Sequence, residues 1–263
     1  MKKIFSYSFI IFLFFQSSCG LKKAATHVIA GVSSDGMVAL ESEEDVAFAR
    51  ESSLPLIKTL EVLRHGDIKD AKSLILLSQS YGQFAFGFLE EDMLKYRNDP
   101  EKFVAAKQRA DIFYRRGREY GIAALINSSA MKEAFKSPLD EFKKNVSKLS
   151  KKNVPALFWT AFNWACYLNL HLDDPNTIAD LPRIQAMIDQ VIKLDPKFYY
   201  GSAYAFKGVI DSSRPKMLGG NTEAALKEFN SAMDLSPNYL MTKILFAQFY
   251  TKQIQDENLF TDS

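Results

Sequence analysis

From about residue 43 onward, apolar side chains return every three or four positions along the chain. Ala71, Leu74, Leu77, Tyr81, Phe84 and Phe88 follow this step, as do Phe103, Ala106, Ala110, Phe113, Gly117, Tyr120 and Ala124. Phe158, Ala161, Ala165 and Leu168 continue it. That is the period of a helix with one buried face. No window alternates apolar and polar over the length of a strand. Proline follows a capping residue at Asp99-Pro100, Ser137-Pro138, Asp174-Pro175 and Ser236-Pro237, an order that suits a helix start. The pattern predicts an all-α chain, with helices over 43–64, 68–96, 100–125, 138–149, 154–170, 176–194, 198–212, 222–235 and 238–253.

The short turns between these segments suggest antiparallel helix pairs, and one pair carries a repeat-like signature. Ala225, Phe229, Ala232 and Pro237 stand at offsets of four, seven and twelve. They match the second half of a tetratricopeptide repeat, in which small residues let two helices approach. Phe246, Ala247 and Tyr250 fall where the first helix of a following repeat needs them. Ile184, Ile188, Val191 and Pro196 keep the same offsets without the small residues. The two prolines are 41 positions apart, an excess over the roughly 34-residue repeat that an insertion at Arg214 to Gly220 explains. The expected architecture is therefore a degenerate tetratricopeptide-like stack, an α-α superhelix whose groove suits binding. Core packing accounts for Ala225, Phe229 and Ala232 themselves.

The first residues have a different character. Lys2 and Lys3 precede an apolar run from Ile4 to Phe15, and Gln16-Ser17-Ser18-Cys19 closes it with small residues. This is the order of a secretory signal. The run is shorter than the about 20 residues that a spanning helix needs. Residues 1–18 thus read as signal peptide, 19–42 as a lipidated cysteine and tether, and 43–263 as the helical domain. The end resembles a lipobox, although Gln16 stands where Leu, Val or Ile is usual; Cys19 would then be acylated and hold the chain at a membrane. The alternatives are an ordinary signal cleaved nearby or an uncleaved anchor. Gly20 lacks the acidic character associated with inner-membrane retention in some bacteria, which favours the outer membrane.

Charge narrows the choice of partners. The chain has 33 basic and 31 acidic residues, and loss of Lys2 and Lys3 with the signal would balance them. No basic run exceeds Lys143-Lys144 or Lys151-Lys152, so nucleic-acid binding is not indicated. Of two cysteines, Cys19 belongs to the anchor and Cys166 is left alone as a small apolar residue, so there is no disulfide framework. His27, His65 and His171 are far apart and have no partner at metal-ligand spacing. Neither Gly-x-Ser-x-Gly nor His-Glu-x-x-His occurs. Glu90-Glu91-Asp92 and Asp173-Asp174 read as solvated helix ends or caps. The sequence thus implies no metal, no cofactor and no catalytic set.

Three features qualify as binding candidates. The loop from Arg214 to Asn221 contains Gly219 and Gly220, with Asn221 or Thr222 as a cap for the next helix. Trp159 and Asn163 share a stripe with Cys166 on a helix that is apolar around most of its circumference, and could line a ligand cavity; core packing is the simpler account. Tyr199 and Tyr200 open a helix and suit contacts that are half apolar and half wet.

These residues resemble a known family. The lipobox, the helix pairs and the run Pro215-Lys216-Met217-Leu218-Gly219-Gly220-Asn221 feeding Ala225-Leu226-Lys227-Glu228-Phe229 are similar to the T-component of TRAP (tripartite ATP-independent periplasmic) transporters. Arg214, Ala232, Gln255-Asp256 and Phe260 also fit. The resemblance implies a periplasmic tetratricopeptide-like lipoprotein without catalysis. It would associate with the solute-binding P-component and help deliver a hydrophobic or organic-acid ligand. It also implies a further helix after the position of Phe260 in other members, whereas this sequence ends at Ser263. Self-association is left open. The other readings are a scaffold lipoprotein of an envelope complex, and an enzyme using acids that only the fold brings together.

Overall fold

The computed structural model describes the backbone of residues 2–214 and 219–252, and the side chains of these spans from residue 20 onward. Among the described residues every regular element is helical. The helices are α1 (Lys2–Glu41), α2 (Val46–Arg64), α3 (Ala71–Phe84), α4 (Glu90–Lys95), α5 (Pro100–Leu125), α6 (Leu139–Val146), α7 (Val154–Leu170), α8 (Pro175–Ile178), α9 (Leu181–Leu194), α10 (Phe198–Ser212), α11 (Thr222–Leu235) and α12 (Leu240–Leu245). A π-helical turn, Ala85–Leu89, joins α3 to α4, and a second, Phe246–Thr251, follows α12.

Local chemistry accounts for most of the boundaries. Asp99 accepts from the Lys102 amide at 3.2 Å with Pro100 at the first turn, and Asp174 accepts from the Asn176 amide at 2.9 Å ahead of Pro175. Ser137 and Ser236 do not cap in this way, and the helices after them start at Leu139 and Leu240. Asp70 caps α3 through the Ser73 amide at 2.8 Å, which sets its start at Ala71.

Residues 20–41, expected as a tether, are instead the second half of α1. Gly31 and Gly36 weaken a helix by about 1 kcal/mol each. Burial of Thr26, Ala30 and Met37 against α2 and α3 offsets that loss. Thr26 also donates to the Leu63 carbonyl at 3.1 Å, and His27 Nδ1 lies 2.7 Å from Asp70 Oδ1.

The chain forms two compact units, residues 1–132 with 162–172, and residues 133–161 with 173–263. In the first, α3 packs on α5 while α1 and α2 cover α3, around Leu77, Tyr81, Phe84, Leu89, Ala110 and Tyr114. Glu61 on α2 binds this core at its polar edge. It accepts from Tyr81 at 2.7 Å, Tyr120 at 2.9 Å and Lys58 at 2.8 Å. Burial alone would raise its pKa, but these three donors hold it down at about 2.

In the second unit α10 packs on α11 and α9, and α6 packs on α9. Ala225, Phe229 and Ala232 are fully buried, as the sequence pattern requires, and so are Ile184, Ile188 and Val191. A methyl group on Gly208 would sit 2.7 Å from the Phe229 ring, so the contact between α10 and α11 depends on a residue without a side chain.

Candidate functional site

The second unit brings together Trp159, Tyr199 and Tyr200. Trp159 is buried on α7, and its ring meets Tyr199 edge-on with centroids 4.9 Å apart. Phe158 touches Tyr199 at 5.9 Å and Phe198 at 5.5 Å. The cluster reaches solvent at Tyr200, which is 44% exposed and lies flat on Tyr239 with centroids 4.4 Å apart and planes 16° apart.

The backbone under this cluster turns the wrong way for L-residues. Tyr199 (φ 44°), Tyr200 (φ 60°) and Gly201 (φ 73°) form one left-handed turn inside α10. Left-handed backbone costs roughly 1–2 kcal/mol at each non-glycine residue. The surrounding contacts must hold it there, and such outliers cluster at functional sites. Two of these contacts are visible. Gly201 is packed against Leu235 and Ala232, and Ser202 donates to the Tyr199 carbonyl at 2.6 Å. In this turn Tyr200 is exposed while Tyr199 stays in the aromatic cluster.

Arg214 and Asn221 are both bound to the end of α10. The Asn221 amide donates to the Asp211 carbonyl at 2.9 Å, and the Asn221 side chain caps α11 by accepting from the Ala224 amide at 3.0 Å. Arg214 Nε donates to the Ile210 carbonyl at 3.1 Å, and its guanidinium lies 3.7 Å from Asp211. Burial raises the pKa of Asp211 against the lowering pull of Arg214 and Lys207. Gly219 has φ 84°, and any side chain on Gly220 would strike the Arg214 carbonyl. These contacts hold Arg214 and Asn221 beside Ile210 and Asp211. Pro215, Lys216, Met217 and Leu218 lie outside the described residues, as do Gln255, Asp256, Phe260 and the side chain of Cys19.

Asn163 is one turn beyond Trp159 on α7 but belongs to the first unit. It is fully buried and donates from Nδ2 to the Ser78 carbonyl at 2.9 Å. Ser78 in turn donates to the Gly117 carbonyl at 2.7 Å. Asn163 is thus bound to α3 at the point where Ser78 joins α3 to α5.

Several polar groups have partners that the sequence did not disclose. Glu90, read as part of a solvated end, accepts from the buried Tyr114 hydroxyl at 2.5 Å, and burial raises its pKa. Asp92 pairs with Arg50. His171 Nε2 lies 2.7 Å from Asp111. Cys166 sits beside Tyr114, and burial pushes its thiol well above the ordinary range, the opposite of an activated nucleophile.

The second unit also has a cleft of about 540 Å³ between α6, α9 and α10. Lys143, Gln185, Asp189, Lys193, Lys207 and Asp211 are among the residues that line it. Sequence reasoning missed this cleft because α7 and α8 separate α6 from α9 and α10 along the chain. Among the described residues no helix is long and apolar enough to cross a membrane, and no cluster of metal-ligand residues forms.

A family model described as TRAP transporter T-component matches residues 42–263. No curated protein matches the chain.

Proposed function

Given that the chain belongs to the TRAP transporter T-component family, we propose that it is the non-catalytic adaptor of such a transporter and binds the solute-binding P-component through the aromatic surface at Tyr200. Membership implies a role in a TRAP transporter and a place in the bacterial envelope; the family is a transport accessory and not a known enzyme family. On this reading residues 1–18 are a signal peptide and Cys19 is acylated, holding the helical domain on the periplasmic side of the outer membrane. The cargo is a hydrophobic or organic-acid solute carried by the partner.

The observation that carries the reading is the left-handed turn at Tyr199 to Gly201. Strained backbone persists where the surrounding contacts over-determine it, and it concentrates at functional sites. Here the outcome is a rigid, stacked tyrosine pair facing solvent, the kind of group that dominates interface energetics. Interfaces of this type combine a tyrosine-rich centre with a polar rim.

Titration calorimetry with the purified solute-binding component tests the proposal. Tyr200→Ala should weaken binding by about tenfold or more. Unchanged affinity would move the contact elsewhere, and absence of binding by the unaltered chain would favour the envelope scaffold.

A further inference from the structure

The segment from Lys143 to Lys152 contains five lysines and no acid, in a chain whose charges are otherwise nearly balanced. The fold gathers more positive charge beside it. The turn after α6 is bound to α9, with Gln190 donating to the Leu149 carbonyl at 3.2 Å. Lys143 and Lys193 consequently face the same cleft. Lys151 lies 3.1 Å from Asp195, two residues before Lys197.

Most of this charge is not neutralised. Lys143, Lys144, Lys152, Lys193 and Lys197 are exposed and make no ion pair with the described residues. The acids of the cleft are already engaged. Asp189 lies 2.9 Å from Lys207, and Asp211 faces Arg214 at 3.7 Å.

We infer that this lysine ridge, with the cleft it borders, is a docking surface for an acidic face of the solute-binding partner. The inference rests on the adaptor reading above and adds the chemistry of the partner. An acidic protein surface fits better than a bilayer for two reasons. Lys197 stands three residues before Tyr200, so positive charge borders a stacked aromatic pair, as in a protein interface with an aromatic centre and a charged rim. The cleft also has apolar wall residues in Val146, Pro182 and Ala186, which can receive a side chain but offer nothing to a headgroup. Charges of this kind act mainly on the association rate and its salt dependence.

The test uses the full chain, titrated with the purified solute-binding component at about 0.05 M and about 0.5 M salt. The triple variant Lys143→Glu, Lys144→Glu, Lys193→Glu should bind about tenfold more weakly at low salt. The difference should shrink at high salt, with the circular dichroism spectrum unchanged. The milder set of Lys→Gln changes should fall between the two. Tyr200→Ala should weaken binding to the same extent at both salt levels. If the triple variant binds as the unaltered chain does while Tyr200→Ala weakens binding, the ridge proposal fails and the adaptor reading stands. If the unaltered chain does not bind the component at all, both fail together. If the triple variant keeps its affinity for the component but no longer floats with phosphatidylglycerol vesicles, the ridge serves the bilayer and the proposal is overturned.

Discussion

Asn163 spans 85 positions of sequence to donate from Nδ2 to the Ser78 carbonyl at 2.9 Å. A methyl group on Gly117 would come within 2.2 Å of its Oδ1, and one on Gly82 within 2.8 Å. One amide therefore fills the place where α3, α5 and the middle of α7 meet. Gly117→Ala should lower stability by about 1–3 kcal/mol through overpacking. Asn163→Ala should lower it by a similar amount, through loss of the bond and the space it leaves. The double variant should lose clearly less than the sum, because the smaller residue at 163 accepts the added methyl. Thermal or urea unfolding of the four proteins measures this, and simple additivity would mean the two sites do not share a space.

Strain at Tyr200 has a signature of its own. In a right-handed helix Ala is more stabilising than Gly by about 1 kcal/mol. At φ 60° the order should reverse, with Tyr200→Gly more stable than Tyr200→Ala by about 1–2 kcal/mol. Both variants lose the Tyr239 stack, so their difference reports the backbone alone. Equal stability, or Ala above Gly, would mean that the left-handed turn is absent in solution.

Glu61 makes the first unit sensitive to acid. Its folded pKa is about 2 against an ordinary 4.5. The stabilisation is complete above the ordinary value and is lost as pH falls from there towards 2. Up to about 3 kcal/mol is involved. Glu61→Gln should destabilise the protein at pH 7 and flatten its stability profile between pH 5 and 2. Chemical unfolding at stepped pH reads both effects.

Glu90 acts in the opposite direction. Burial raises its folded pKa, so its contribution is greatest when the carboxyl is protonated and falls as pH rises through the folded value. Glu90→Gln can still accept from Tyr114 and carries no charge. It should therefore stabilise the protein at pH 7 and above, by about 1 kcal/mol. Loss of stability at pH 7 would show that the ionised carboxylate is needed.

Much of the fold was legible in the sequence. The windows 100–125, 154–170, 198–212 and 222–235 match helices end for end. Local signals mark several of those ends, among them Asp99-Pro100 before α5 and Asn221 before α11. Residues 20–41 were misread because two glycines and a run of small polar residues look like coil. Only contacts with α2 and α3, made by tertiary packing, reveal them as helix. The candidate site was legible in part. The run Phe198-Tyr199-Tyr200 was visible as aromatic surface, but no pattern of apolar spacing announces a left-handed turn. Asn163 shared a stripe with Trp159 on the helical wheel. The assignment of α7 to two units depends on long-range packing that periodicity cannot express. Lys143 and Lys193 lay on separate helices, and nothing in either helix alone pointed to a shared cleft.

The π turn at Ala85–Leu89 gives the helix that contains it an unusual tolerance. The Glu90 amide bonds to the Ala85 carbonyl, five residues back, so this turn holds one residue more than an α-helical turn does. In an ordinary helix, deleting a residue rotates everything beyond it by about 100° and exchanges buried side chains for exposed ones. Here the extra residue is already accommodated as a bulge. Excising Gly87, which is exposed and has nothing near its missing side chain, would restore the regular ladder and leave Glu90 still facing Tyr114. The segment is thus a place where the chain length can change by one while the pattern of faces is kept, and sequences aligned across it should show a one-residue gap without any shift in the apolar positions on either side.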